Sequence, residues 1–566
     1  MSKSNINHAK LSKLCIASAL FLSVSLNLAQ AAPTPGDREE QNRRARQEEQ
    51  DRQLNQQKPD VFLQKERGKR EALTLPEETP SFPVQEIVLT GKGADRFPWA
   101  QDIVNQYAGQ KIGWQGINLI VKRLTETFVD RGFVTTRVLI PQQNLSNGTL
   151  TLLIVPGMIQ DIRFADPHVH ANWTSAFPAR PGQILNLRDL EQGLEQMKRV
   201  PSQDVDMKLV PGDKEGESIV LISVKKTKPW KTLFSLDDSG SKYTGKLQSS
   251  ETLAYDNLFG GNDLFNLSYN ADADRERSRH GTRGKSLYYS APQGYWTYTF
   301  SGSTYQYHQT VATVGNSFVF SGKTTNFELK AERLVHRDQT KKTTVGFSLI
   351  QSHSKSYVDD TEIEVQRRDT TAAKLAITQK QYIGQNVLDY TVAYKRGVPW
   401  FGAQDDLAGP ELPTSRYDLW TLDANLAMPV HFGRTKAQYN ASLHGQYTKN
   451  RLYAAEFLSL GNRYTVRGFD GEQTLAAENG WYLQNELSFP LSSYTQIYLG
   501  LDCGQISGPS ADQSAGKTLV GGVLGFRGKL DAARTQYDVF IGRPLKKPDS
   551  MAVKRPVVGF QLVYQI

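Results

Sequence analysis

The sequence predicts an all-β transmembrane barrel of about sixteen antiparallel strands, preceded by two small α/β modules and a polar N-terminal helix. Three observations predict it. Residues 229–566 divide into segments of about ten residues in which apolar and polar side chains alternate, the length at which a tilted strand crosses a membrane. The connections between these segments alternate short and long. The composition is hydrophilic, with 39% hydrophobic residues and a mean hydropathy of −0.49, as an alternating wall produces. Beyond residue 35 no run approaches the roughly 20 consecutive apolar residues of a spanning helix, which excludes a helical membrane protein. One compact core cannot account for 566 residues.

Residues 1–31 read as a secretory signal. Lys3, Lys10 and Lys13 precede an apolar stretch from Leu14 to Leu28, and Ala29-Gln30-Ala31 supplies small residues at peptidase spacing. Ser18, Ser23, Ser25 and Asn27 interrupt the stretch, which is too short to span a membrane. The remaining chain is therefore expected to be exported. Cys15 belongs to the signal, so Cys503 is left without an intramolecular disulfide partner. The formal net charge is +9, of which the signal's three lysines carry 3, leaving +6. That is too mild for a nucleic-acid footprint, and no nucleic-acid partner is expected.

A polar helix is assigned to residues 32–57. Asp37 to Gln57 reads DREEQNRRARQEEQDRQLNQQ, rich in helix formers and free of Gly and Pro. Only Ala45 and Leu54 are apolar, so no face can be buried in a core. The residues alone leave two readings open: a solvated tail, or a helix about 31 Å long lying in a polar pore. Residues 58–80, with Pro59, Gly68, Pro76 and Pro80 among charges, read as a linker that could let the helix move.

Two modules follow, at 81–157 and 158–228. In the first, Pro83–Thr90 is a short β run, and Ile117, Ile120, Val121, Leu124 and Phe128 form a helical stripe. Gly132 ends the helix, and Val134–Ile140 and Thr149–Val155 alternate as strands around an Asn147-Gly148 hairpin signal. The order is β-α-α-β-β. The pattern repeats from Ile159, through a helix at Leu187–Lys198, to strands near Val205–Leu209 and Ser218–Val224.

The stretches GFVTTRVLIPQQNLSNGTLTLLIVPGMIQDI and LNLRDLEQGLEQMKRVPSQDVDMKLVPG resemble the paired POTRA domains of two-partner secretion outer-membrane translocators. These are the TpsB, or hemolysin secretion/activation, family of the ShlB, FhaC and HecB type, with CdiB-type transporters included. The resemblance covers both modules. A POTRA domain offers an exposed strand edge that pairs with an extended peptide through backbone hydrogen bonds, which suits an unfolded client. The resemblance also turns the polar helix into a plug of the barrel lumen. Its charged residues Arg43, Arg44, Arg46, Glu48 and Glu49 are then the groups that face the lumen.

Sixteen strand positions can be placed between Thr232 and Phe560, an even number, as bacterial barrels require. Phe259–Asn262, Gln293-Gly294, Gly384–Asn386 and Ser492-Ser493 read as short turns, whereas Asp272–Gly284, Ser352–Asp369 and Arg396–Ser415 read as long loops. Trp420, Leu422, Ala424, Leu426 and Met428 share one parity and Thr421, Asp423 and Asn425 the other, as lipid and lumen faces should. A soluble sandwich would not sort its connections by length. The chain ends in Ile566, where such barrels usually end in an aromatic residue.

Residues 460–480 form a glycine-rich polar stretch between two strands. Within it, Val466-Arg467-Gly468-Phe469 resembles the sixth-loop signature of the translocator superfamily, accompanied by NELSFP at Asn485–Pro490. The resemblance implies that this loop folds into the lumen and that Arg467 pairs with an acidic residue of the inner wall. In YLGLDCGQI, Ile497, Leu499, Leu501 and Cys503 alternate outward, so Asp502 points inward and is the expected partner. Guanidinium and carboxylate can form two parallel charge-assisted bonds. DNLFGGNDLF at Asp256–Phe265 also looks like a family feature, with Gly260 and Gly261 permitting a tight turn.

Enzyme chemistry is thin. Ser321-Gly322-Lys323-Thr324 and Ala515-Gly516-Lys517-Thr518 imitate the end of a phosphate loop, but Ser317 and Ala511 stand where its first glycine belongs. His168 and His170 lack further ligands nearby. No catalytic residue, metal or cofactor is expected.

The resemblance implies a monomeric translocator in the outer membrane of a Gram-negative bacterium, its POTRA domains periplasmic and its wall in lipid. Its client would be a large secreted β-helical exoprotein of TpsA type: a hemolysin, an adhesin or a contact-dependent inhibition toxin. Export would proceed without ATP. The alternatives are a barrel assembly or insertion factor of the same superfamily, and a plugged passive channel.

Overall fold

The computed structural model describes residues 35–54, 60–63, 74–169, 171–274, 279–313, 316–406, 409, 412–514 and 516–566. The expected signal and much of the linker lie outside these residues. An N-terminal helix spans Pro35–Leu54.

The first module contains strands β1 (Ser81–Val84), β2 (Glu86–Thr90), β3 (Gln110–Gly113), β4 (Arg137–Leu139) and β5 (Thr149–Val155), with helices Pro98–Asn105 and Trp114–Asp130. Its main sheet runs β2-β5-β4, and β1 pairs with β3. The predicted helical stripe is the buried face: Ile117, Ile120, Leu124 and Phe128 pack on Ile87, Leu150, Leu152 and Ile154. Strands β4 and β5 are antiparallel as expected. A turn of 3-10 helix at Leu145–Asn147 intervenes between them, ending at Gly148 with φ 79°. The Asn-Gly pair thus closes a longer connection instead of forming a two-residue hairpin.

The second module contains β6 (Met158–Phe164), β7 (Gln203–Pro211) and β8 (Glu217–Lys226), in the order β6-β8-β7, with one regular helix at Leu187–Lys198. The repeat holds for the sheet and not for the helices. Residues 165–169 and 171–186 stand in place of one helix as irregular chain that inserts Phe177 into the core. The ring lies where a Cβ on Gly193 would fall, 2.2 Å from its nearest atom, so the facing helix needs a glycine there.

The barrel begins with β9 (Trp230–Asp237), β10 (Gln248–Asp256), β11 (Leu264–Asp272), β12 (His280–Gln293), β13 (Trp296–Thr313), β14 (Asn316–Arg337) and β15 (Lys341–Val358). A two-residue β16 (Thr361–Glu362) folds back on β15. Then come β17 (Arg368–Ile383), β18 (Asn386–Val398), β19 (Asp418–Phe432) and β20 (Thr435–Thr448). The inward loop carries β21 (Leu458–Leu460) and β22 (Leu475–Ala477). The wall ends with β23 (Asn479–Pro490), β24 (Thr495–Ser507), β25 (Thr518–Leu530), β26 (Thr535–Lys546) and β27 (Val557–Gln565). Leaving out β16, sixteen antiparallel strands close the wall, with β27 pairing with β9. Ile566 completes that seam through two backbone bonds with Thr232.

Several strands are longer than the predicted ten residues. Strand β14 has 22 residues and β15 has 18. Most of Ser352–Asp369, expected as a loop, is therefore strand, because hydropathy marks only the part of a strand that touches lipid. Beyond that part the hairpin continues on backbone pairing, with Ser, Thr, Lys and His among a small apolar cluster of Tyr305, Tyr307 and Phe320 with Phe318 and Val358 against it. The predicted faces agree with exposure: Trp420, Leu422, Leu499 and Leu501 point outward, and Asp502 is fully buried on the inner side.

The second module docks on the short turns at its end of the barrel. Asp256 accepts the Ser202 N–H at 2.7 Å, Asn262 donates to the Asn172 carbonyl at 2.6 Å, and Arg199 donates to Ser290 Oγ at 2.7 Å. The DNLFGGNDLF turn is thus a mounting point as well as a tight turn.

Candidate functional site

Inside the barrel lie two elements held in physically different ways. The first is the N-terminal helix, which runs along the lumen. Near the end far from the modules, Glu39 pairs with Arg46 at 2.7 Å and accepts bonds from Tyr305 Oη at 2.5 Å and Thr244 Oγ1 at 2.7 Å. Glu40 pairs with Arg43 at 2.7 Å and with Arg44 at 2.9 Å, and Arg44 reaches Glu456 at 3.5 Å. Gln41 donates to the Ala454 carbonyl at 2.8 Å. At the module end Glu49 borders a cavity lined by the Ser492–Thr495 turn.

None of the buried apolar clusters among the described residues contains a residue of this helix. Its composition dictates this, since it has no apolar face to bury. What holds it is a set of ion pairs and hydrogen bonds in a polar lumen, made in part by the buried side chains of Glu39, Glu40, Arg43 and Arg46.

The second element is the loop between β20 and β23. Val466 and Phe469 are buried with Leu458, Leu460 and Leu475 of the loop against Ile506, Leu519 and Met551. Each such side chain stabilises burial by about 1.5–3 kcal/mol. The loop is a fixed part of the barrel. At its tip Arg467 meets Asp502, with Nε to Oδ2 at 2.7 Å and Nη2 to Oδ1 at 3.0 Å. Its Nη1 donates to Glu486 at 2.6 Å, and its own N–H donates to Asp502 at 3.0 Å. All four signature residues, Val466 to Phe469, therefore touch the wall or its core.

The wall is shaped to receive this tip. A Cβ on Gly521 would lie 1.8 Å from the Arg467 carbonyl oxygen, and one on Gly500 2.6 Å from Arg467 Nη2. Gly468, at φ +97°, lies against Gly542, where a Cβ would approach its Cα to 2.9 Å. Three adjacent strands each give up a side chain, and the resulting notch holds the loop backbone.

Sequence reasoning did not single out Glu39, Glu40, Glu486, Arg463 or the glycine notch. Arg463 pairs with Asp238 and donates to the Phe560 carbonyl, tying the loop to the β27–β9 seam. Glycines inside otherwise regular strands were the signal available for the notch. For Glu39 and Glu40 nothing separates them from the other acids of the helix. Of the residues expected on the helix, Arg43, Arg44 and Arg46 make the pairs above or their neighbours. Glu48 and Glu49, together with Arg44, border a polar cavity of about 790 Å³, which is also lined by Asp423, His444, Arg467 and Arg527.

The chain matches the family model described as haemolysin secretion/activation protein ShlB/FhaC/HecB over residues 216–528. It matches a ShlB-type POTRA domain over 82–157 and a POTRA domain over 158–211. It is 40% identical to outer membrane transporter CdiB-2 of Burkholderia pseudomallei strain 1026b, covering 95% of this chain and 97% of that one. It is 30% identical to the hemolysin transporter protein ShlB of Serratia marcescens, covering 80% of each. Among solved structures it resembles CdiB from Acinetobacter baumannii with a TM-score of 0.84 at 28% identity, covering 95% of this chain and all of that one.

Proposed function

The chain belongs to the haemolysin secretion/activation family of outer-membrane two-partner secretion translocators, and on that premise we propose how this barrel passes its client. The client is a large secreted β-helical exoprotein, of hemolysin, adhesin or contact-dependent inhibition type, that arrives unfolded in the periplasm. Its extended segments pair with the free edges of the two POTRA sheets, β2 or β4 and β6 or β7. The lumen helix withdraws, and the chain passes through the barrel while Arg467, held by Asp502 and Glu486, keeps the loop tip seated on the wall. Folding of the client outside supplies the driving force without ATP.

One contrast carries this reading. The helix is held by polar contacts and ion pairs with no apolar core, whereas the loop beside it adds a buried apolar core to its buried ion pair. A barrel built for passive diffusion needs no removable occupant, and an assembly factor needs no cleared lumen. The test compares surface and released proteins from cells with the chain, without it, and with Arg467→Ala. Loss of one very large exoprotein in the deletion, with a strong reduction in the variant at normal barrel levels, supports the reading. A joint fall of many outer-membrane barrels, with no exoprotein lost, replaces it with the assembly-factor reading.

A further inference from the structure

Between the lumen helix and the first POTRA domain, residues Asp60–Leu63 are pinned at one place where three bodies meet. Those bodies are the linker, the Leu187–Lys198 helix of the second POTRA domain, and the barrel around the β14–β15 turn. Asp60 pairs with Lys342 at 2.8 Å and Lys380 at 2.6 Å on the barrel. The Val61 side chain is buried in the core of the second POTRA domain. The Phe62 ring stands edge-on to Tyr382 with centroids 4.9 Å apart. The Leu63 N–H donates to Glu191 at 2.8 Å.

Arg337, at the end of β14, closes the junction. Its side chain is 2% exposed and pairs with Glu195 at 2.9 Å. It also donates to Gln192 at 3.2 Å and to the Val61 carbonyl. A single buried guanidinium thus binds the linker backbone and the POTRA helix at once, and its removal leaves the buried Glu191 and the half-buried Glu195 each one partner short.

We propose that Asp60, Val61 and Arg337 act as positioning residues for the plug: together they form a latch that sets the tether length, so the helix cannot clear the lumen until the second POTRA domain and the β14–β15 hairpin part. This rests on the plug reading above. Covalent geometry carries the argument. A helix of 20 residues is about 30 Å long. To leave along its axis towards the periplasm it must move its leading end, Leu54, about that far past the rim. Glu49 already borders the turn at the periplasmic mouth, so Leu54, five residues further on, starts at the rim. Six residues from Leu54 to Asp60 reach at most about 20 Å. With Asp60 held at the rim, about 10 Å of helix stays inside, some seven residues, including Glu39, Glu40 and Gln41. Releasing Asp60–Leu63 frees the rest of the linker and removes the limit. Because Glu191 and Glu195 sit on the POTRA helix, a shift of that domain opens the latch.

The test uses full-length protein in planar bilayers, where no client is needed. The Cys503→Ser chain carrying Phe62→Cys and Tyr382→Cys is joined by a reductant-cleavable bismaleimide. Full openings are expected to vanish after cross-linking and to return on reduction, and Asp60→Asn with Arg337→Gln should raise the open fraction about tenfold. If the cross-linked protein opens fully and as often as after reduction, the latch is overturned, whatever the fate of the charge variants. Protein lacking residues 35–54 separates the two ideas. If it conducts no more than the intact chain, the plug reading falls and takes the latch with it.

Discussion

Arg467 meets Asp502 edge-on: two parallel hydrogen bonds fix the guanidinium plane, and the backbone N–H of Arg467 adds a third to the same carboxylate. A lysine presents a point charge and cannot make that fork. Arg467→Lys is therefore expected to behave nearly as badly as Arg467→Ala, with exoprotein secretion down at least about tenfold. Removing one partner of a buried pair costs about 3–5 kcal/mol, so Asp502→Asn should also lower the unfolding temperature of the purified barrel. Arg467→Ala with Asp502→Ala should cost less than the sum of the singles. Secretion assays and thermal melts of these variants, with Asp502→Ala alone among them, check this.

The notch makes a steric prediction that leaves all charges in place. Gly521→Ala puts a methyl group 1.8 Å from the Arg467 carbonyl oxygen, closer than any contact allows. The wall strand cannot yield without breaking its pairing with β24 and β26, so the loop tip moves. Secretion should fall as in Arg467→Ala while the barrel still assembles. Gly445→Ala, in β20, meets nothing within 4 Å and serves as the control. Heat-modifiable gel mobility reports barrel assembly, and released exoprotein reports function.

What the sequence disclosed and what it withheld divide along physical lines. Alternation fixes which face of β24 is wet, so the inward position of Asp502 could be read from Ile497, Leu499 and Leu501 alone. Pairing across the lumen could not, because it depends on which strands lie opposite after closure. Glu486 lies 16 residues before Asp502, and register 484↔502 places it two residues off, on the same face of the neighbouring strand. The helix was legible as a helix with no apolar face. Its docking through Glu39 to Tyr305 and Thr244 was not, since those partners lie more than 200 residues away. The length of β14 was hidden for a different reason: beyond the lipid-facing part, Phe318 and Phe320 are too few among polar residues to mark the strand.

The helix is expected to loosen when its far-end knot is cut. Glu39 joins Arg46, Tyr305 and Thr244, and Glu40 joins Arg43 and Arg44. Glu39→Gln with Glu40→Gln leaves Arg43 and Arg46 without these carboxylates and Arg44 with Glu456 alone. At about 1 kcal/mol for each exchanged polar contact, losing two or three raises the unplugged population about tenfold or more. Single-channel recording should show more frequent openings of unchanged size, because the barrel itself is untouched.

Glu78 makes a prediction about acid. Its side chain reaches the start of the Trp114–Asp130 helix and accepts three backbone N–H groups, from Gly113 at 3.1 Å, Gln115 at 2.8 Å and Gly116 at 2.8 Å. Against a desolvation cost that acts to raise it, these three donors hold the carboxyl below the ordinary glutamate range. A depressed folded pKa means the contribution is complete above the unfolded value of about 4.3. It is lost as pH falls through the lower folded value, where protonation removes the charge the helix N-terminus favours. Between neutrality and pH 5 no change is expected. Below pH 4 the protection of amides 113, 115 and 116 against hydrogen exchange should fall more steeply than that of Leu124 or Phe128 further along the same helix. In Glu78→Gln, which cannot titrate, protection of the three amides should already be low at neutral pH and follow Leu124 through the acid range. A wild-type profile parallel to that of Leu124 would show that the carboxylate does not cap the helix.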